Sequence, residues 1–297
     1  MRHILSYSAQ GNTSPLIYTS GTRPFGLTWL VLPIIIPLTL LLVSCSGEND
    51  TDQPLSPAEV SWEEQSYMAV DPGCAQPNPN DCTHALIEYP VFSCPNRPGI
   101  ADSLNRFVES HLVASVDDSV DPGDPEARAD RFVAQYVEFK DDQSDYTIPW
   151  LDKTAAQVIL KTGRVLSLRI KQLGFTGGAH GYNERILASF DLTNGSRLSP
   201  VDVVGPDDID SLRALAEKVF RMARRMQPGQ TYDQAGFRFP GGAFSLPDNF
   251  MLDSTGFVFY YNPYEIAAYA EGPTQLLIRY DRIRDLLDIK GLPPAKE

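Results

Sequence analysis

Basic side chains are scarce in this chain of 297 residues, where 25 Lys and Arg stand against 38 Asp and Glu. The first 44 residues hold only Arg2 and Arg23 and no acid, so the remainder sets 23 bases against 38 acids, a balance of −15. A body so acidic is not drawn to nucleic acid or to an anionic membrane surface, whereas a basic protein partner is steered toward it. The same acidity also serves simply to keep a soluble protein dispersed. Reaction signatures are missing as well. There is no HExxH, no pair of Cys/His couples at ligand spacing, no Gly-x-Ser-x-Gly elbow and no phosphate-cradling glycine loop. Neither a metal nor a cofactor is expected. Low-complexity tracts are absent, and 42% apolar residues suffice for a full core, as one large domain or two small ones.

Long hydrophobic runs number one. Phe25 to Ser44 is almost wholly apolar, follows Arg23 and ends in Leu42-Val43-Ser44-Cys45. A basic flank, an apolar run and small residues at a cut site make an export signal. Leu-Val-Ser-Cys also resembles the bacterial lipobox, whose cysteine is lipidated and becomes the first mature residue. An uncleaved membrane-spanning helix is the alternative, disfavoured by Pro33 and Pro37. Residues 1–44 are therefore expected to be a lipoprotein-type signal peptide, Cys45 the lipidated anchor to the membrane, and 45–58 a solvated tether. Two α+β subdomains follow, 59–163 and 164–297. The expected location is the cell envelope, facing the periplasm or the exterior.

Export places Cys74, Cys82 and Cys94 in an oxidising compartment, where one pair is expected. Thr83 to Phe92 reads as a strand; about ten residues at roughly 3.3 Å each would hold Cys82 and Cys94 some 30 Å apart. A bridge needs Cα atoms within about 7 Å. If Trp62 to Val70 pairs antiparallel with that strand, the Pro/Asn loop brings Cys74 opposite Cys82. Cys74–Cys82 is the expected bridge, with Cys94 free or the rival partner of Cys74.

Apolar spacing predicts a helix over 99–114, with His111 on or beside its buried stripe, and a second opening at Asp124-Pro125-Glu126. Ile148 to Trp150 and Ala155 to Lys161 return to strand. The centre of the chain is a hairpin. Arg164 to Leu173 alternates with Leu166, Leu168 and Ile170 on one face, Tyr182 to Leu192 alternates likewise, and Phe175-Thr176-Gly177-Gly178-Ala179-His180-Gly181 turns between them. A long helix is predicted over 206–226, then an aromatic Gly/Pro-rich loop, strands at 250–252, 257–261 and 274–280, and a short last helix. Strands in groups with helices between them indicate an α+β fold: antiparallel sheets with helices packed on one side and two intimately packed subdomains.

Three stretches, 175–181, Phe190-Asp191-Leu192-Thr193-Asn194-Gly195, and Asn262 to Gly272 (NPYEIAAYAEG), resemble one family. It is the extracellular domain at the C-terminus of RsiV-type anti-sigma factors and beside the catalytic domain of PdaC-type peptidoglycan deacetylases. The resemblance spans roughly Trp62 to Leu287. In RsiV-type members it implies a receptor for lysozyme, and in PdaC-type members an accessory module of wall enzymes. Phe175 stands where a tyrosine often leads the first motif, and Ala268 where a proline often precedes the second Tyr-Ala. Only 24 largely uncharged residues precede the apolar run, so a sigma-binding role is not expected. The expected function is non-catalytic binding of a basic, lysozyme-like partner through Phe175, Thr176, Gly177, Gly178, His180, Tyr182, Tyr264 and Tyr269. The alternatives are recognition of cell-wall glycan through the aromatic loops, and a hydrolase using His180 with Glu184 or Asp191.

Overall fold

Ser61–Val70 (β1) and His84–Ser93 (β2) pair antiparallel along their whole length, from Ser61 opposite Ser93 to Val70 opposite His84. The computed structural model describes residues 58–75, 78, 81–112, 125–289 and 292. The connection between β1 and β2 brings Cys74 and Cys82 together as the expected disulfide, with Cα atoms 5.9 Å apart. Cys94 is free and buried. Cys45 and the apolar run lie outside the described residues. Among the described residues no helix is long and apolar enough to cross a membrane.

From β2 the chain makes two helices, Pro98–Leu112 (α1) and Pro125–Asp142 (α2), before returning as Leu151–Lys161 (β3). α1 buries Ile100, Leu104, Val108 and Leu112, and α2 buries Ala129, Val133 and Tyr136. All but Tyr136 share a core with Ala85, Ile87, Leu166, Leu168 and Ile170 of the sheet. His111 packs its ring on Phe107, with Nδ1 bonded to the Phe107 carbonyl at 2.7 Å. Because both helices intervene, β3 joins β2 in parallel, Glu88 lying opposite Ala155. The expected antiparallel sheet is thus a mixed one. Ile148 to Trp150 is not strand. Trp150 instead packs its ring among Phe132, Tyr136 and Phe139 of α2.

Val165–Phe175 (β4) and Tyr182–Asp191 (β5) complete the sheet in the order β1-β2-β3-β4-β5. A short helix, Pro200–Val204 (α3), precedes Ile209–Ala223 (α4). Phe250–Leu252 (β6), Gly256–Tyr261 (β7) and Thr274–Arg279 (β8) form a second, antiparallel sheet, followed by Tyr280–Ile283 (α5). The fold is α+β. The aromatic loop between α4 and β6 is core: Phe237, Phe239 and Phe244 surround Phe220 of α4 at centroid distances of 5.1 to 5.6 Å. Burying four such rings together explains why so long a connection holds one path.

The two sheets meet along β5. Ser189 Oγ accepts from the Leu252 amide at 2.8 Å, and the side chain of Asn249 accepts from the Leu187 amide at 2.7 Å while donating to the carbonyls of Arg185 and Tyr260. At the far end of β5, Asp191 accepts from the Thr193 amide at 2.8 Å and from Arg164 at 3.2 Å. Burial alone would raise its pKa; the hydrogen bonds from Thr193 and Arg164 outweigh burial and hold it below the usual carboxylate range. The β4–β5 loop is held at two glycines. Gly177 has φ 83°, and a β-carbon there would run into the Tyr146 hydroxyl. One at Gly181 would run into the Gly174 carbonyl.

Two consequences are measurable. A carboxylate whose folded pKa is depressed adds stability that is present above its unfolded value and lost as pH falls through about 4 and below. Asp191→Asn is therefore expected to melt lower than the parent at pH 7, by about 1 kcal/mol, with the gap closing by pH 2 in paired thermal denaturations. Gly177→Ala forces a side chain into left-handed backbone at about 1–2 kcal/mol before Tyr146 is displaced. Tyr146→Phe in the same chain should recover only part of that loss in urea titrations.

Candidate functional site

Three aromatic side chains gather where the β4–β5 loop meets the segment after β7. The His180 ring lies on the Tyr269 ring at 4.2 Å between centroids and 15° between planes. Tyr264 completes the cluster, 5.4 Å from Tyr269 and 6.4 Å from His180. The Gly181 carbonyl fixes the pair, accepting from the Tyr269 hydroxyl at 3.1 Å and contacting His180 Nδ1 at 3.1 Å. If Nδ1 carries the proton, Nε2 is left to accept from the Tyr264 hydroxyl, 3.4 Å away. The result is an exposed shelf of stacked rings, with Tyr264 64% exposed at its rim.

Tyr264 reaches that rim through an unusual backbone. Its φ is 68°, a region a side chain with a β-carbon occupies at a cost. The turn is closed by Glu265, whose carboxylate accepts from the Asn262 amide at 2.8 Å. Asn262 also accepts from the Arg185 amide at 2.8 Å and donates to the Arg185 carbonyl at 3.0 Å, tying the turn to β5. Glu265 and Glu271 are exposed beside the tyrosines.

The remaining residues of the expected surface divide. Thr176 and Gly178 are exposed on the loop, Phe175 is half-buried, and Gly177 sits against Tyr146. Tyr182 is directed inward. Its hydroxyl donates to Asp152 at 2.6 Å, and Asp152 pairs with Arg128 at 2.8 Å. Burial, reinforced by the Asp152 charge, pushes the Tyr182 phenol well above its ordinary value, so it stays a donor. Tyr146 and Asp152, which support the loop and Tyr182, were not singled out in the sequence; Asn262 stood there only as the start of the third motif, and its Asn-Pro pair is the local signal for the turn.

As chemistry, the cluster offers ring faces and hydroxyls. Asp191 lies at the opposite end of β5 from His180 and is engaged with Arg164. Among the described residues no group of three His, Cys, Asp or Glu is arranged to hold a metal ion. His84 is buried, its Nδ1 2.9 Å from the Cys82 carbonyl.

Two family models match in chain order. "Deacetylase PdaC" covers residues 77–183, and a protein family of unknown function, DUF3298, covers residues 202–281. The shelf draws His180 from the first region and Tyr264 and Tyr269 from the second. Among solved structures, a DUF3298 family member from Bacteroides fragilis is similar with 20% identity and a TM-score of 0.54, over 79% of this chain and 95% of that one. A DUF3298 family protein from Pseudomonas aeruginosa has 20% identity and a TM-score of 0.48, over 80% of this chain and 98% of that one. At that identity the Bacteroides structure supports the fold alone. No curated protein matches the chain. The resemblance read from the three motifs is borne out: the chain is similar to PdaC over residues 77–183 and to the DUF3298 family over residues 202–281.

Proposed function

We propose that this protein is a non-catalytic binding module of the bacterial envelope, tethered through lipidated Cys45, and that its partner is a basic protein of the lysozyme-like muramidase class. The PdaC-type and DUF3298-type matches point to an envelope-associated module. The observation that carries the reading is the His180–Tyr264–Tyr269 shelf, with the exposed Glu265 and Glu271 close to the two tyrosines in the chain. Lysine and arginine from a basic partner would lie on the ring faces and meet the carboxylates beside them. The acid excess of the chain would bring such a partner in and make its arrival sensitive to salt.

A second reading rests on the stacked pair itself. Two parallel rings present a flat apolar face of the kind on which sugar rings stack, and wall glycan would then be the ligand. The two readings part on charge, since a neutral glycan gains nothing from the acidic rim.

Calorimetric titration of the chain lacking its first 45 residues with lysozyme separates them. A complex is expected at low salt that weakens steeply toward 0.5 M salt, and Tyr264→Ala should weaken it about 10- to 100-fold. Tyr264 is exposed and alanine keeps the same β-carbon at the same φ, so the fold should persist. Absence of any complex at low salt removes the muramidase reading. Salt-insensitive retention on purified peptidoglycan, lost on Tyr264→Ala, would select the glycan.

A further inference from the structure

The sheet face turned away from α1 and α2 carries a charge pattern at odds with the rest of this acidic chain. Lys171 of β4 stands directly opposite Arg185 of β5, and Arg169 lies two positions along on the same face. Like charges placed opposite each other across a sheet destabilise it. On the neighbouring strands Lys153 of β3 pairs with Glu88 of β2, and beside the sheet Arg128 of α2 pairs with Asp152 and Arg164 with Asp191. Among the described residues no carboxylate lies within ion-pair distance of Arg169, Lys171 or Arg185.

These three are held in place by groups that leave their charge intact. Arg169 Nη2 donates to the neutral amide of Gln157 at 2.9 Å, and Arg185 Nη1 to that of Gln275 at 3.2 Å. The Arg185 guanidinium lies over the Tyr260 ring at 4.8 Å. Arg169 Nε is buried with no hydrogen-bond partner, a donor for which the fold itself supplies no acceptor. The proton affinity of Lys171 is lowered by Arg169, by burial and by Arg185, as expected of cations that neighbour one another on one face. Leu173, next along the same face of β4, is 37% exposed, so the face is open there.

We propose that Arg169, Lys171 and Arg185 form a binding site for a phosphate group. Two guanidinium forks and one ammonium present more donors than the two oxygens of a single carboxylate accept. A phosphate monoester, with three strong acceptor oxygens and nearly two negative charges, satisfies them and removes the mutual repulsion. The site is separate from the aromatic shelf and does not depend on the muramidase reading. The group arrives either as the free anion or on an organic ester, and both present the same chemistry to the three cations.

The test is calorimetric titration of the purified chain with inorganic phosphate and, separately, with glycerol 3-phosphate, each at constant ionic strength set with sodium chloride. Saturable binding is expected, and Lys171→Gln should weaken it about tenfold or more. Tighter binding of glycerol 3-phosphate identifies an ester as the source, and equal or tighter binding of inorganic phosphate the free anion. Without ligand, Lys171→Gln should melt no lower than the parent, because it relieves repulsion and removes no ion pair. Failure of both compounds to saturate, or binding that Lys171→Gln leaves unchanged, overturns the proposal.

Discussion

An edge strand must satisfy its outward-facing amides and carbonyls, and the way β5 does so governs the arrangement around it. Among the described residues no sixth named strand is paired there. At one end residues 196–198 bond to the backbone of Ser189 and Asp191; further along, two asparagine side chains take a strand's place. Asn249 serves the Leu187 amide and the Arg185 carbonyl, and Asn262 serves the Arg185 amide and carbonyl. An amide side chain can act as donor and acceptor at once, as an adjoining peptide group would. Both asparagines belong to the second sheet's connections, so satisfying one strand's backbone also joins the two sheets.

The same bonds set the distance between the glycine loop and Tyr264. Asn262 is fixed to β5, Pro263 and Tyr264 follow at once, and β5 begins beside His180. Below the shelf, the Tyr182–Asp152–Arg128 chain fixes β5 to β3 and α2. Breaking a buried pair of this kind costs far more than the pair contributes net, because the surviving charge is left without a counterpart. The shelf is thus open at His180 and Tyr264 and buried at its supports, an arrangement that keeps the ring cluster rigid.

Much of this was legible in the sequence. Alternation identified β4 and β5, and strand length led to Cys74–Cys82 over Cys82–Cys94. The aromatic loop between 227 and 245 announced its burial by composition. Other features were not encoded locally. The direction in which β3 joins β2 depends on the helices between them, since a strand's alternation is the same whichever way its neighbour runs. The apolar Ile148-Pro149-Trp150 run read as strand because pattern alone does not separate a residue that packs on a sheet from one that packs on a helix. α3 is too short, at five residues, to show a period. Within the site, the motifs singled out His180, Tyr264 and Tyr269, but the ring stacking between positions 89 apart arises only when both sheets are in place. The charges at 169, 171 and 185 carry no local signal of a cluster; only the strand register puts two of them opposite each other.

The division of the shelf between two matched regions has an outcome for how such chains diversify. The imidazole comes with the first region and both phenols with the second. Neither half transplanted alone would bring the surface along. A change in either region alters the ring partners offered by the other, so the stack is kept only when the two vary together.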